Sequence, residues 1–483
     1  VSGTNADPSN VGLITINVLP DDMLVEIFFY VNIRVWYIQN PWHALVHVCR
    51  RWRHIVFASP RSLDLRLEYR GHGPVSEVLD AWPVLPVMLR TSLNDLLHPL
   101  LDQRWDNRVA ALESKHHNRI CEIRLSSFPI SRWERFTAAM QKPFPELTCL
   151  QVSMDGQLVP VLPDSFLGRS APRLRELKLG RISFPSMPKL LLSANDLITL
   201  TLEDLPGSGY LPSNAMATAL TVMTRLESLY LRFRSPRPRR GPPSRLLPRP
   251  TRIVLPALTK LTFQGAYEYL EDLLAPIDTP LLYRLYIVFF TDLTFDVPQL
   301  HRLIGYVAGF KVLDHADILI LDGAIRLDLD RQTGEVDHRP APLLGLQINC
   351  RELDRQLSSL AQVCGSSFPL ISALEVLKIR EAKNLPSSHW NDDVENAQWV
   401  ELLDPFVAVK NLYLTDQIAR GVCGALQELS EERATKVLPA LRNLFVDGSR
   451  SLEPLEHFQE AIRPFVAARQ LSSHPVAIDH WRR

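Results

Sequence analysis

From residue 119 to residue 452 one arrangement of apolar positions repeats: an apolar residue followed by apolar residues three and five places later. It recurs twelve times, starting at Ile120, Leu147, Leu174, Leu197, Leu226, Leu258, Leu282, Ala316, Leu343, Leu374, Val409 and Leu441, at a mean interval of about 29 residues. Leu174-Arg-Glu-Leu177-Lys-Leu179 and Leu226-Glu-Ser-Leu229-Tyr-Leu231 show it plainly. The last two apolar positions alternate with a polar one, the signature of a strand with one buried face. Five starts have proline two residues before them: Pro145, Pro172, Pro256, Pro280 and Pro439. Proline cannot continue a helix and biases its predecessor toward extended backbone, so the pattern predicts a switch from helix to strand at that point. Stacking such units in parallel buries the recurring leucines in one core. The predicted class is therefore an α/β repeat, a curved solenoid with a parallel concave sheet. Spacing from 23 residues (Leu174 to Leu197) to 35 (Leu374 to Val409), with no repeated Asn, predicts an irregular convex side.

Flanking segments have their own periodicity. Leu63-x-Leu65-x-Leu67 and Val87-x-Leu89 predict one or two atypical strands in a linker and cap over 63–118. Leu455 to Ala468 predicts a capping helix within a terminal cap and tail over 453–483. Residues 14–62 read as a small helical head. Leu19-Pro20-Asp21-Asp22 places proline and two acids in a first turn, where the missing N–H costs nothing and the helix dipole favours negative charge. Leu24, Ile27 and Phe28 follow on one face, and a second helix carries Leu45, Val48, Cys49 and Trp52 opposite Arg50, Arg51 and Arg53. So short a head buries too little surface to stand alone, which predicts packing on a neighbour or partner.

In that order, Leu19-Pro20, Ile27-Phe28 and Val48-Cys49-Arg50-Arg51-Trp52 resemble the F-box motif, the last cluster being its most specific part. With the repeats behind it, the whole chain resembles the F-box proteins that carry irregular leucine-rich repeats, particularly the divergent fungal ones. The resemblance implies a bundle of short helices docking onto the Skp adaptor of a cullin-RING ubiquitin ligase. On it, Leu19, Pro20, Leu24, Ile27, Phe28, Leu45, Val48, Cys49 and Trp52 would be adaptor-facing or box-core residues. The connection from Phe28 to Leu45, with Val35-Trp36-Tyr37-Ile38 and Pro41-Trp42, is longer and more aromatic than the family's usual one, and an adaptor-independent helical hairpin stays open as an alternative.

Composition narrows the function further. The 483 residues carry 53 basic and 53 acidic side chains, so no global field gathers phosphate or anionic lipid, and neither nucleic acid nor a membrane is an expected partner. The one basic concentration is 232–252, with eight arginines, six prolines and no acid, read as an extended loop. A solvated spacer, a nuclear-import or RNA-contacting patch, and a partner-docking element are its competing readings. Apolar runs such as Leu285 to Phe290 are far too short to span a bilayer. Six cysteines without a CxxC pair argue against a disulfide framework or zinc finger and fit a reducing compartment, cytoplasmic or nuclear. Val1 is not methionine, which leaves an upstream segment open.

Candidate chemistry is thin. His116, His117 and Cys121 form at most a partial metal set, and Asp328-Leu-Asp330 before Gly334-Glu335 lacks the glycine position and closing Glu of a calcium loop, so a β-hairpin turning near Thr333-Gly334 is expected. Without a phosphate loop, nucleophile elbow or zinc-protease motif, no enzyme, metal or cofactor is expected. The implied role is substrate receptor of a Skp–cullin–F-box ligase with an unnamed target protein. The alternative is a non-catalytic repeat scaffold whose box drives no ubiquitination. In either case the target surface is expected on the concave stripe, where the residue between the last two apolar positions points: Arg124, Gln151, Lys178, Thr201, Tyr230, Thr262, Tyr286, Ile320, Gln347, Lys378, Tyr413 and Phe445. Tyr230, Tyr286, Lys378, Tyr413 and Phe445 are its candidate anchors, unless the tail from Ser472 to Trp481 folds back over the last two.

Overall fold

The structure, a computed structural model, describes residues 16–34, 42–92, 97–183, 189–206, 211–234, 252–290, 297–331, 342–350, 352–365, 368, 370–382, 396–429, 433, 435–447 and 462–481. The chain forms two units, Val1–Val152 and Ser153–Arg483.

The first unit begins with three mutually packed helices, α1 (Asp21–Arg34), α2 (Trp42–Val48) and α3 (Arg50–Ala58). Sequence periodicity predicts one helix through Leu45, Val48, Cys49 and Trp52, but the chain breaks at Cys49. That residue is extended (φ −158°, ψ 172°), and its Sγ accepts the Trp52 N–H at 3.5 Å, capping α3. The break rotates the stripe apart, leaving Leu45 buried and Val48 58% exposed. Behind the head come strands β1 (Leu67–Tyr69), β2 (Val87–Arg90), β3 (Ile120–Phe128) and β4 (Cys149–Met154), side by side in that order. β1 and β2 are the two atypical strands expected from the leucine alternation, and they pair in parallel.

In the second unit the main sheet takes β5 (Glu176–Gly180), β6 (Thr199–Leu205), β7 (Ser228–Phe233), β9 (Lys260–Gly265), β11 (Arg284–Phe289), β12 (His315–Leu321), β13 (Ala324–Asp330), β14 (Leu344–Asn349), β15 (Val376–Glu381), β16 (Asn411–Leu414), β17 (Asn443–Asp447) and β18 (Ala477–Trp481). The short β8 (Ile253–Val254) and β10 (Ile277–Asp278) form a separate parallel pair. Helices such as Tyr267–Leu274, Leu353–Cys364 and Asp416–Gln427 connect strands of the main sheet and pack against helical neighbours. Leu200, Leu229 and Leu261, register partners on β6, β7 and β9, are 0–3% exposed. This is a leucine-rich-repeat-like core, buried on one sheet face and half-open on the other.

The prolines act differently from expectation. They sit at the second residue of a turn closed by the first leucine of the motif: Leu147 N–H donates to the Phe144 carbonyl at 3.2 Å, Leu174 to Ala171 at 3.2 Å, Leu258 to Leu255 at 3.3 Å, Leu282 to Thr279 at 3.3 Å and Leu441 to Leu438 at 3.0 Å. Proline's fixed φ suits that second position. Each strand starts two residues after the leucine, so the proline sets strand entry through a turn rather than by stopping a helix.

Among the described strand pairs, parallel stacking fails at one strand. The spatial order runs β11-β14-β13-β12-β15, with β13 antiparallel to both neighbours. A two-residue turn, Asp322-Gly323 with Gly323 at φ 76°, joins β12 to β13. Asp-Gly between alternating apolar runs is a strong hairpin signal. β13 and β14 form the second hairpin, whose predicted turn at Thr333-Gly334 lies outside the described residues. Inside this meander the predicted register slips. The unit assigned to Ala316 starts at Leu313, whose N–H closes the turn onto Phe310, so Ile320 is fully buried core and Asp317 takes its place on the open face. Likewise Gly345, not Gln347, stands in the row with Tyr286.

Other expectations shift at their edges. Arg232 belongs to β7, bridging Asp204 at 3.0 Å, and Arg252 pairs with Asp278; residues 235–251 between them lie outside the described residues. The terminal helix is described as Arg463–Leu471 and does not end the fold, because the tail adds β18. His116 meets Asp80 at 2.7 Å, and the buried Cys121 thiol donates to the Val87 carbonyl. Among the described residues no group of three His, Cys, Asp or Glu could share a metal, and all six cysteines are free. No described helix is long and apolar enough to cross a membrane.

Leu229→Ala should lower unfolding free energy by about 2–5 kcal/mol, because the leucine fills the core between its two register partners. Urea denaturation measures it, and a loss below about 0.5 kcal/mol would contradict the register.

Candidate functional site

Parallel register sets equivalent side chains of adjacent strands about 4.8 Å apart. Across the open face of the second unit this produces one row: Lys178, Thr201, Tyr230, Thr262, Tyr286, Gly345, Asp328, Asp317, Lys378, Tyr413, Phe445 and Asp479. The predicted anchors Tyr230, Tyr286, Lys378, Tyr413 and Phe445 all stand in it. In the first unit Arg124 lies on β3 and pairs with Glu122 at 2.7 Å.

Charges near the start of the second unit's row are internally matched. Lys178 meets Glu203 at 2.8 Å, and Arg232 donates to the Tyr230 hydroxyl at 3.3 Å as well as bridging Asp204. At the meander the row turns acidic and closed. Gly345 lets the Tyr286 ring lie across it: a Cβ there would stand 2.4 Å from a ring carbon. The Tyr286 hydroxyl reaches Gln347 Oε1 at 3.2 Å. Asp328 and Asp317 are opposite each other on β13 and β12. Arg380 grips Asp317 with two donors, Nε at 2.8 Å and Nη2, and Arg326 meets Asp328 at 2.9 Å. Burial, reinforced by the charge of Asp317 and opposed by Arg326 and Arg380, pushes the Asp328 carboxyl up to about 6.

At the far end the row is aromatic. Tyr413 and Phe445 stack with centroids 4.5 Å apart and planes 11° from parallel, as side-by-side rings on parallel strands do. Lys378 Nζ lies 5.3 Å from the Tyr413 centroid on the neighbouring strand. Trp481 of β18 meets Tyr413 edge-on at 5.4 Å and donates its indole N–H to the Leu414 carbonyl at 3.2 Å. The tail therefore lies beside the pair as an edge strand, and Trp481 covers part of Tyr413. Both rings keep partial exposure. Beneath this row Asn443 donates its side-chain amide to Asn411 at 2.8 Å, a second like pair on the same two strands.

In the head, the nine box positions divide by exposure. Leu24, Phe28 and Leu45 are core, and Phe28 packs on Trp52 at 4.6 Å. Leu19, Ile27, Cys49 and Trp52 are half-buried, whereas Pro20 and Val48 are exposed. Arg51 fixes the entry to α1, donating to the Leu19 carbonyl at 2.7 Å and pairing with Asp21 at 2.6 Å. Exposed Val18, Met23 and Tyr30 lie in or beside α1, at 72%, 48% and 62%. Trp42, from the unusual aromatic connection, is buried and donates to the Arg66 carbonyl at 2.9 Å. It meets Trp82 edge-on at 5.3 Å, while Val35 to Ile38 and Pro41 lie outside the described residues.

No family model matches the chain, and no curated protein matches it. Among solved structures it is similar to the leucine-rich repeat-containing protein LegL7 of Legionella pneumophila, at 12% identity and a TM-score of 0.23, over 82% of this chain and 97% of that one.

The motif count misses Asp317, Asp328 and Gly345, because the antiparallel strand hides the register. The Asp322-Gly323 pair is the signal that would have revealed it. The tail ending at Trp481 was an expected alternative cover for the last two anchors, but its pairing as β18 is missed because that strand carries no leucine motif.

Because the folded state holds the Asp328 proton up to about pH 6 and the unfolded chain releases it near 4, this group lowers stability as pH rises between those values. Asp328→Asn should flatten that slope, which amounts to roughly 2–3 kcal/mol across the interval. Urea midpoints from pH 4 to 7.5 measure it, and parallel profiles for parent and variant would contradict it.

Proposed function

We propose that the chain is a non-catalytic binding protein, the substrate-recognition subunit of a Skp–cullin–F-box ubiquitin ligase. The head docks to the adaptor, and the open sheet face holds the target. Catalysis belongs to the partner subunits, and no cofactor is required. The observation that carries the head assignment is the Val48-Cys49-Arg50-Arg51-Trp52 cluster: its Arg51 clasps the Leu19-Pro20 entry, beside apolar side chains left open on the head. Exposed apolar surface on so small a bundle fits a docking role. For the target, the support is the half-exposed Tyr413 and Phe445 pair beside Lys378, since tyrosine is among the side chains that dominate interface energy.

A second reading, a repeat scaffold whose head is a structural cap, is favoured by the anchoring of Trp42 to Arg66 and Trp82. Co-purification from cells with the proteasome blocked separates the two. Leu19→Ala with Pro20→Ala should abolish capture of a Skp-type adaptor while leaving the unfolding transition in place; undiminished capture removes the ligase assignment. Tyr413→Ala with Phe445→Ala should abolish target capture and keep adaptor capture, with a melting shift below about 4 °C. A larger shift would make the stack a packing feature.

A further inference from the structure

β18 is joined to the sheet on terms unlike those of its neighbours. β17 buries Leu444 and Val446 on the core side. The positions beside them on β18 are Ile478, half-buried, and His480, exposed. Ala477 and Asp479 are exposed as well. The strand is held by its parallel ladder to β17, by buried Val476 just before it, and by Trp481. The indole has a defined seat: ring edge to Tyr413, N–H to the Leu414 carbonyl. Five residues, 472–476, separate β18 from the preceding helix.

We propose that β18 is a displaceable strand, and that the β17 edge beneath it docks an extended peptide segment of a target, parallel to β17 and with an indole in the seat of Trp481. Backbone donors and acceptors along an uncovered edge supply sequence-independent affinity, and the seat supplies selectivity. The chain's own segment shows what the seat accepts: an aromatic ring carrying an N–H donor, placed four residues after the small Ala477. Tethered by so short a link, β18 competes at an effective concentration on the order of millimolar, which excludes weak peptides. A target that also engages the open face overcomes this competition. The inference rests on the open face being the target surface.

The test uses a fluorescent peptide of residues 477–483 and a chain shortened to end at Val476, which keeps the buried valine. Fluorescence anisotropy should show the peptide binding the shortened chain at least ~10-fold more tightly than the full chain, since only the latter carries the tethered competitor. The peptide carrying Trp481→Ala should lose most of that affinity. Equal binding to both chains, or binding to neither, overturns the proposal. So does an unfolded shortened chain by circular dichroism, because β18 would then be part of the core. Hydrogen exchange on the intact protein gives a second reading: amides of β18 should exchange at least ~10-fold faster than those of β16, and equal protection overturns displacement. Neither target nor adaptor enters these measurements, so they can fail while target capture by the open face stands, and the reverse.

Discussion

The hydrogen bond from the first apolar residue of a unit to the carbonyl three residues back, made at ten strand entries from Leu147 to Leu441, is the constraint on which the sheet depends. It fixes where the chain leaves its turn, and the strand begins two residues later. With strand starts aligned, parallel pairing puts equivalent positions side by side, and the same side chain recurs against itself or its complement. Leucine meets leucine in the core. On the other face tyrosine meets phenylalanine and asparagine meets asparagine. One turn geometry thus produces both the core and the row on the open face.

Charge along that row is arranged by neighbour pairs rather than by a field. Lys178 with Glu203, Arg380 with Asp317 and Arg326 with Asp328 spend most of their charge on each other. That agrees with a chain whose formal charge is zero. The aromatic end differs, for there half-open rings and one lysine stand together.

Much of the architecture was legible in the leucine spacing. Units such as those at Leu174, Leu226 and Leu374 start where predicted, because a strand with one buried face must alternate. Legibility ended where two strand directions share one apolar alphabet. Ala316-x-x-Leu319-x-Leu321 satisfies the motif as well as Leu313-x-x-Ala316-x-Ile318 does, and only the pairing tells them apart. The helix break at Cys49 was also invisible, since no proline or glycine marks it and a thiol serves as the cap. Trp481 could not be found by any repeat, because its place depends on the tail joining a sheet edge.

The meander also governs the order in which the sheet can assemble. A strictly sequential array grows by adding each new strand to the one just laid down, so its contacts stay local and it can zip from any starting unit. Here the strand made after β11 lands three places away from it, and β11 must wait for β14, some 60 residues further on. Growth from β5 therefore halts at β11 until two hairpins have closed. Residues Ala316 to Leu346 join the parallel strands β5 to β11 to the parallel strands β15 to β18, so their loss would divide the array into two.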